Sequence, residues 1–140
     1  MKSGPAHIKI SIENNISELE KVAGMYEKFA SSQQLPSRIN NAVLMVLDEI
    51  LNNIINYAYT DNDAHEINIY FSILEDRLCL QIEDDGKPFN PLEIPKADRQ
   101  SKLEDRPIGG LGIHLTKSIM DNLTYNYKNR KNCLLLEKNL

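Results

Sequence analysis

The runs "EINIYFSIL" (66–74) and "RLCLQIE" (77–83) constrain the fold more than any other feature of the chain. Both alternate at a period of two. Ile67, Ile69, Phe71 and Ile73 share one face, and so do Leu78, Leu80 and Ile82. The short "EDR" between them predicts a hairpin. A hairpin with one apolar face needs another layer to cover it.

The rest of the sequence supplies that layer. "HIKISI" (7–12) puts Ile8, Ile10 and Ile12 on one face of a further strand. Ser17 and Glu20 have capping-box spacing and would open a helix with apolar positions at Leu19, Val22, Tyr26 and Phe29. Pro36-Ser37 starts a longer helix over about 37–59, and "DNDAH" breaks it from the first hairpin. A third helix, about 111–121, emerges from "GGLG"; "LTYNYK" and "CLLLEK" then form a second hairpin around "NRKN". The order β-α-α-ββ-loop-α-ββ predicts an α/β (α+β) two-layer sandwich, a mostly antiparallel sheet with helices on one face. The charged stretch 86–110 is long for a loop in a compact domain, which suits a functional lid.

At 140 residues the chain is expected to be one domain, long enough to bury a core without disulfides or a structural metal. Sixteen basic and twenty acidic residues give a net charge of -4, a poor footprint for nonspecific nucleic-acid binding. No apolar run reaches the length of a membrane span, and the first residues lack a signal-peptide pattern. Cys79 and Cys133 have no metal-ligand spacing and read as small half-buried hydrophobes, so a reducing cytoplasm is expected.

Three polar stretches interrupt this economy. In "LDEILNNIINYAY" (47–59), a helical wheel places Val43, Val46, Ile50, Ile54 and Tyr57 on the core side. Glu49, Asn53 and Asn56 form a stripe at its edge, with Asp48 and Asn52 further round toward solvent. Glu49 and Asn53 are one turn apart and can serve one site, although a solvated helix edge would show the same spacing. "EDDGKPFNP" (83–91) follows a strand directly. It reads as a turn, or as a carboxylate at a sheet end with a glycine that lets the backbone approach a flat ligand. "IGGLGIHL" (108–115) puts glycines before a helix, where free N–H groups and the dipole suit an anion.

In order and spacing these stretches resemble the N, G1 and G2 boxes of the GHKL ATPase superfamily, the Bergerat fold of histidine kinases, Hsp90-type chaperones and type II topoisomerases. Among these they most resemble the short, stand-alone bacterial anti-sigma-factor serine/threonine kinases, over nearly the whole chain. The resemblance implies that Asn53 binds Mg2+ and that Glu49 is the general base toward an acceptor hydroxyl. It implies that Asp84 accepts a hydrogen bond from the adenine amino group and that Gly86 admits the ring. Pro88 stands where a second G1 glycine is expected. Gly109, Gly110, Leu111 and Gly112 would meet the ATP phosphates, and Asn56 would line the same edge as Asn53. An ATP lid would span about 90–108, with Lys96, Arg99, Lys102 and Arg106 as candidate phosphate contacts, balanced by Glu93, Asp98, Glu104 and Asp105. His114 would be structural or pocket-lining.

The function so implied is a cytoplasmic, ATP-dependent protein kinase of the partner-switching type. It would bind a sigma factor in one state and phosphorylate a small anti-sigma-factor antagonist in another, without touching nucleic acid or membrane. Homodimers are common in that family, and the exposed sheet face permits one. Two alternatives stand beside it: a non-catalytic regulator whose conformation is set by ATP, and a detached histidine-kinase catalytic domain. The chain shows no phospho-acceptor helical hairpin, which weighs against the last.

Overall fold

The computed structural model describes residues 6–90 and 110–140. Five strands form one antiparallel sheet: β1 (His7–Glu13), β2 (Glu66–Leu74), β3 (Arg77–Asp84), β4 (Asn122–Lys128) and β5 (Lys131–Asn139), in the spatial order β1-β2-β3-β5-β4. The helices are α1 (Leu19–Ser32), α2 (Ser37–Tyr57) and α3 (Gly110–Ile119). The α+β class and the open antiparallel sheet are as expected from the alternating runs.

Pairing follows the apolar alternation. Ile10 faces Ile69, Ile69 faces Ile82, and Ile82 faces Leu134, a row of side chains that crosses four strands on one face. All four are buried, as are Phe71, Leu78, Leu80 and Leu136 beside them. Removal of each large apolar side chain from water stabilises the fold by about 1.5–3 kcal/mol, enough to fix a register in which a one-residue slip would expose the whole row.

Helix α2 covers that face with Ile39, Val43, Val46, Leu47, Ile50 and Leu51. Val43, Val46 and Ile50 are buried as the wheel predicts, and Ile54 is partly so. Tyr57 is not: it is 45% exposed and lines a cavity instead of the core. The apolar arc of α2 turns toward Leu47 and Leu51, which meet α1. Tyr26 ties α1 to both layers. Its ring lies 5.0 Å from that of Phe71, and its hydroxyl donates to Asn40 Oδ1 on α2 at 3.0 Å.

Two local expectations are corrected. The capping box of Ser17 and Glu20 does not form. A short 3-10 turn, Ile16–Glu18, precedes α1, and Asn15 caps it by accepting from Ser17 N at 3.0 Å. Helix α1 itself has no side-chain cap, because the preceding turn already occupies its entry. Both hairpins are tighter than the sequence suggests. Glu75-Asp76 and Asn129-Arg130 are two-residue turns with positive φ throughout, matched to strand twist, so Arg77, Lys131 and Asn132 belong to strands.

Candidate functional site

Helix α2 and the ends of β3 and β5 enclose a cavity of about 290 Å³, at the small end of the range of roughly 300–1,000 Å³ for ligand pockets. Its helix wall is Ile50, Asn53, Ile54, Tyr57 and Ala58, and its sheet wall is Ile82, Asp84, Tyr125, Asn132 and Leu134. Lys87 and Phe89, from the segment after β3, close one side. The walls are mainly aliphatic and aromatic, and a few polar groups converge on them.

Asp84 is the charged group at the sheet wall. It ends β3 on the buried face, in line with Leu80 and Ile82, and is only 5% exposed. Its Oδ1 accepts from Gly86 N at 2.9 Å and from Asn132 Nδ2 at 3.0 Å. Oδ2 has no partner among the described residues and is the oxygen left to the cavity. Burial raises the pKa of Asp84, the bonds from Asn132 and Gly86 oppose that rise, and neighbouring Asp85 adds to it.

Gly86 explains how this turn can be so tight. A Cβ there would sit 2.6 Å from Ala58 Cβ, 2.7 Å from Ala58 O and 2.9 Å from Asp84 Oδ1. The contact is functional for the backbone too. Ala58 O, freed by the end of α2, accepts from Lys87 N at 2.9 Å, so helix end and turn are joined. Overpacking here would cost about 1–3 kcal/mol and push Asp84 off its position. Pro88 follows in the same segment but is not part of the cavity lining; its neighbours Lys87 and Phe89 are.

On the opposite wall Asn53 and Glu49 are joined as their spacing suggests, with Asn53 Nδ2 donating to Glu49 Oε1 at 3.2 Å. Both are half-buried. Asn53 lines the cavity, and Glu49 sits one helical turn beyond it. The amide oxygen of Asn53 has no partner among the described residues, so it is free to meet a ligand. Asp48 and Asn52 pair with each other at the solvent side, Asn52 Nδ2 donating to Asp48 O at 2.7 Å. Asn56 is exposed and stands outside the described lining.

Gly110, Leu111 and Gly112 form the first turn of α3, where backbone N–H groups lack helical partners. Gly109 and the expected lid, with Glu93, Lys96, Asp98, Arg99, Lys102, Glu104, Asp105 and Arg106, lie outside the described residues. His114 lies within α3. Among the described residues no group of three or more His, Cys, Asp or Glu could hold a metal by itself, and no helix is long and apolar enough to cross a membrane.

Asn132 and Tyr125 are the site residues that motif reading missed. The available signal was periodicity: Leu134 and Leu136 are buried, and stepping back by two from Leu134 reaches Asn132 on the same face.

A helix-covered antiparallel sheet, with a ligand-sized cavity between helix and strand ends and a buried carboxylate in its wall, defines a class: a two-layer α+β domain with a small-ligand site. The profile of the histidine kinase-like ATPase domain matches residues 12–138, and the chain belongs to that family. It is 34% identical over 87 residues to the serine-protein kinase RsbW of Oceanobacillus iheyensis, covering 59% of this chain and 54% of that protein. It is likewise 34% identical over 85 residues to the serine-protein kinase RsbW of Staphylococcus aureus, covering 57% and 54%. These matches span about half the length of the curated relatives. Among solved structures, the histidine kinase AdeS of Acinetobacter baumannii aligns with a TM-score of 0.48 and 14% identity, over 93% of this chain and 67% of that one.

Proposed function

We propose that the chain is a single cytoplasmic ATP-binding domain acting as a protein serine/threonine kinase. It would phosphorylate a small antagonist protein and, in its other state, hold a sigma factor. A homodimer would use the sheet face opposite the helices. The observation that supports this reading most is one cavity that presents the Asp84 carboxylate and the Asn53 amide, with Glu49 hydrogen-bonded to Asn53.

Adenine would enter between the aliphatic walls and donate a hydrogen bond from its amino group to Asp84 Oδ2. The apolar surface around it excludes water, which strengthens that bond. The backbone at the start of α3, residues 110–112, would face the phosphates, and the resemblance adds Gly109. The donor set suits Mg2+ carried by the nucleotide: among the described residues there is a free amide oxygen on Asn53 and no self-sufficient cluster, and this ion keeps waters and phosphate oxygens and takes one or two protein ligands. When bound, Mg2+ neutralises charge on the phosphate oxygens. Glu49 would take the proton of the acceptor serine or threonine as its oxygen forms the new bond to the γ-phosphorus and ADP leaves. Because that transition state is loose, positioning contributes more than the base.

The test is transfer of label from γ-labelled ATP to candidate antagonist proteins, scored as acid-stable hydroxyl phosphate. Glu49→Gln keeps shape and hydrogen bonding and should slow turnover roughly 10²–10⁴-fold, with ATP affinity little changed. An unchanged rate in the variant would remove Glu49 from the mechanism. A wild-type chain that binds ATP but labels no antagonist would be an ATP-set regulator instead.

A further inference from the structure

Asn132 is buried on β5, 5% exposed, and its two ends are fully used. Nδ2 donates to Asp84 Oδ1 at 3.0 Å and to Lys87 O at 2.9 Å, with Gly86 O at 3.4 Å. Oδ1 accepts from Phe89 N at 3.0 Å and from the Tyr125 hydroxyl. One amide thus fixes the carboxylate, the turn that follows it and the neighbouring strand. A side chain with only donors or only acceptors could satisfy half of this set.

We propose that Asn132 is the positioning residue for purine selection. By holding Oδ1 of Asp84 and the course of residues 86–89, it presents Oδ2 as an acceptor to an exocyclic amino group and favours adenine over guanine nucleotides. This rests on reading the cavity as a purine-nucleotide site. The selection depends on Asp84 being ionised: a protonated carboxyl would offer a donor, which suits the carbonyl of guanine. Burial favours the protonated form, and Asn132 is the strongest of the opposing influences. The titratable groups around Asp84 are Asp85 beside it, Lys87, Tyr57 and Tyr125 in the cavity wall, and Tyr59 near by. His65 faces Asp85 and is common to all variants compared below. No cation pairs with Asp84 among the described residues, so the amide has no substitute.

The experiment measures ATP and GTP affinity of the full chain across pH for wild type, Asn132→Leu and Asn132→Asp. Asn132→Leu removes both ends of the amide; Asn132→Asp keeps the shape and the acceptors but sets a second carboxylate beside Asp84, which raises the pKa of one of the pair strongly. The pH at which ATP affinity is half lost should rise in the order wild type, Asn132→Leu, Asn132→Asp. The preference for ATP over GTP at neutral pH should fall roughly tenfold in either variant, the usual effect of losing a hydrogen bond to a charged group. Asn132→Asp carries the test alone if Asn132→Leu does not fold. Loss of affinity by one common factor, at every pH and for both nucleotides, would make Asn132 merely structural and overturn the proposal. Equal affinity of the wild type for ATP and GTP would leave no adenine preference for Asn132 to set and overturn the proposal, whereas a wild type that binds neither nucleotide would remove the purine reading itself.

Discussion

Asp84 is a carboxylate that the fold tolerates at a cost. Its pKa is raised, chiefly by burial. A group with a raised folded value contributes stability below its unfolded value, here 3.8, and loses that contribution as pH rises through the folded value. At neutral pH the ionised side chain therefore weighs against folding. Asp84→Asn should remove this weight, because an amide oxygen can still accept from Gly86 N and Asn132 Nδ2. The variant should melt no lower than wild type at pH 7, and its advantage should shrink as pH falls through the raised value of Asp84 and be gone below 3.8. ATP binding should be lost in the same protein. The amide nitrogen would face the adenine amino group, donor against donor, at a cost of about 1–3 kcal/mol or more. Calorimetric binding and thermal unfolding on one preparation check both halves. A stable variant with wild-type ATP affinity would remove Asp84 from the site.

The loop between α2 and β2 holds a charge latch against the turn after β3. His65 Nε2 lies 2.7 Å from Asp61 Oδ1, its Nδ1 lies 3.1 Å from Asp85 Oδ1, and its ring stacks on Tyr59 at 4.2 Å. The Asp61 bond raises the pKa of His65, and the same bond lowers that of Asp61. The His65 contribution is full below its unfolded value of 6.5 and is lost as pH rises through its raised value. The Asp61 contribution is full above 3.8 and is lost as pH falls through its lowered value. Between those limits the latch is closed, though exposure to solvent keeps its effect small. Thermal unfolding of the wild type should weaken from pH 6 to 9 more than that of His65→Gln; parallel slopes would mean the latch carries no charge. None of this was legible from "DNDAH", which reads only as a break, because the partner Asp85 is twenty residues away. Strand faces were legible because a period of two survives folding intact. The wheel of α2 gave Val43, Val46 and Ile50 correctly but misplaced Tyr57, since apolar character does not distinguish a core seam from a cavity wall. Asn132 was lost to an assumed four-residue turn; the true turn, Asn129-Arg130, has no glycine to announce its positive φ.

The sheet brings together what the chain keeps far apart: Asn53 on α2, Asp84 at the end of β3 and Asn132 on β5 all reach one cavity. Wall residues from both layers mean that a ligand bound there is a bridge between them, and it stabilises only the folded chain. At a free nucleotide concentration about a hundred times Kd, that linkage contributes about 2.7 kcal/mol, so magnesium-ATP should raise Tm by on the order of 5–10 °C for a domain of this size. The part of the shift that requires metal has a separate origin. If the free amide oxygen of Asn53 is a metal ligand, Asn53→Ala should retain the shift given by ATP in chelator and lose the increment added by Mg2+. Asp84→Asn should lose both, because adenine recognition underlies each. Such a pattern would assign the two walls separate duties, the sheet to the base and the helix to the metal-bound phosphates. Equal losses with and without Mg2+ in Asn53→Ala would instead mean that Asn53 shapes the cavity rather than the metal site.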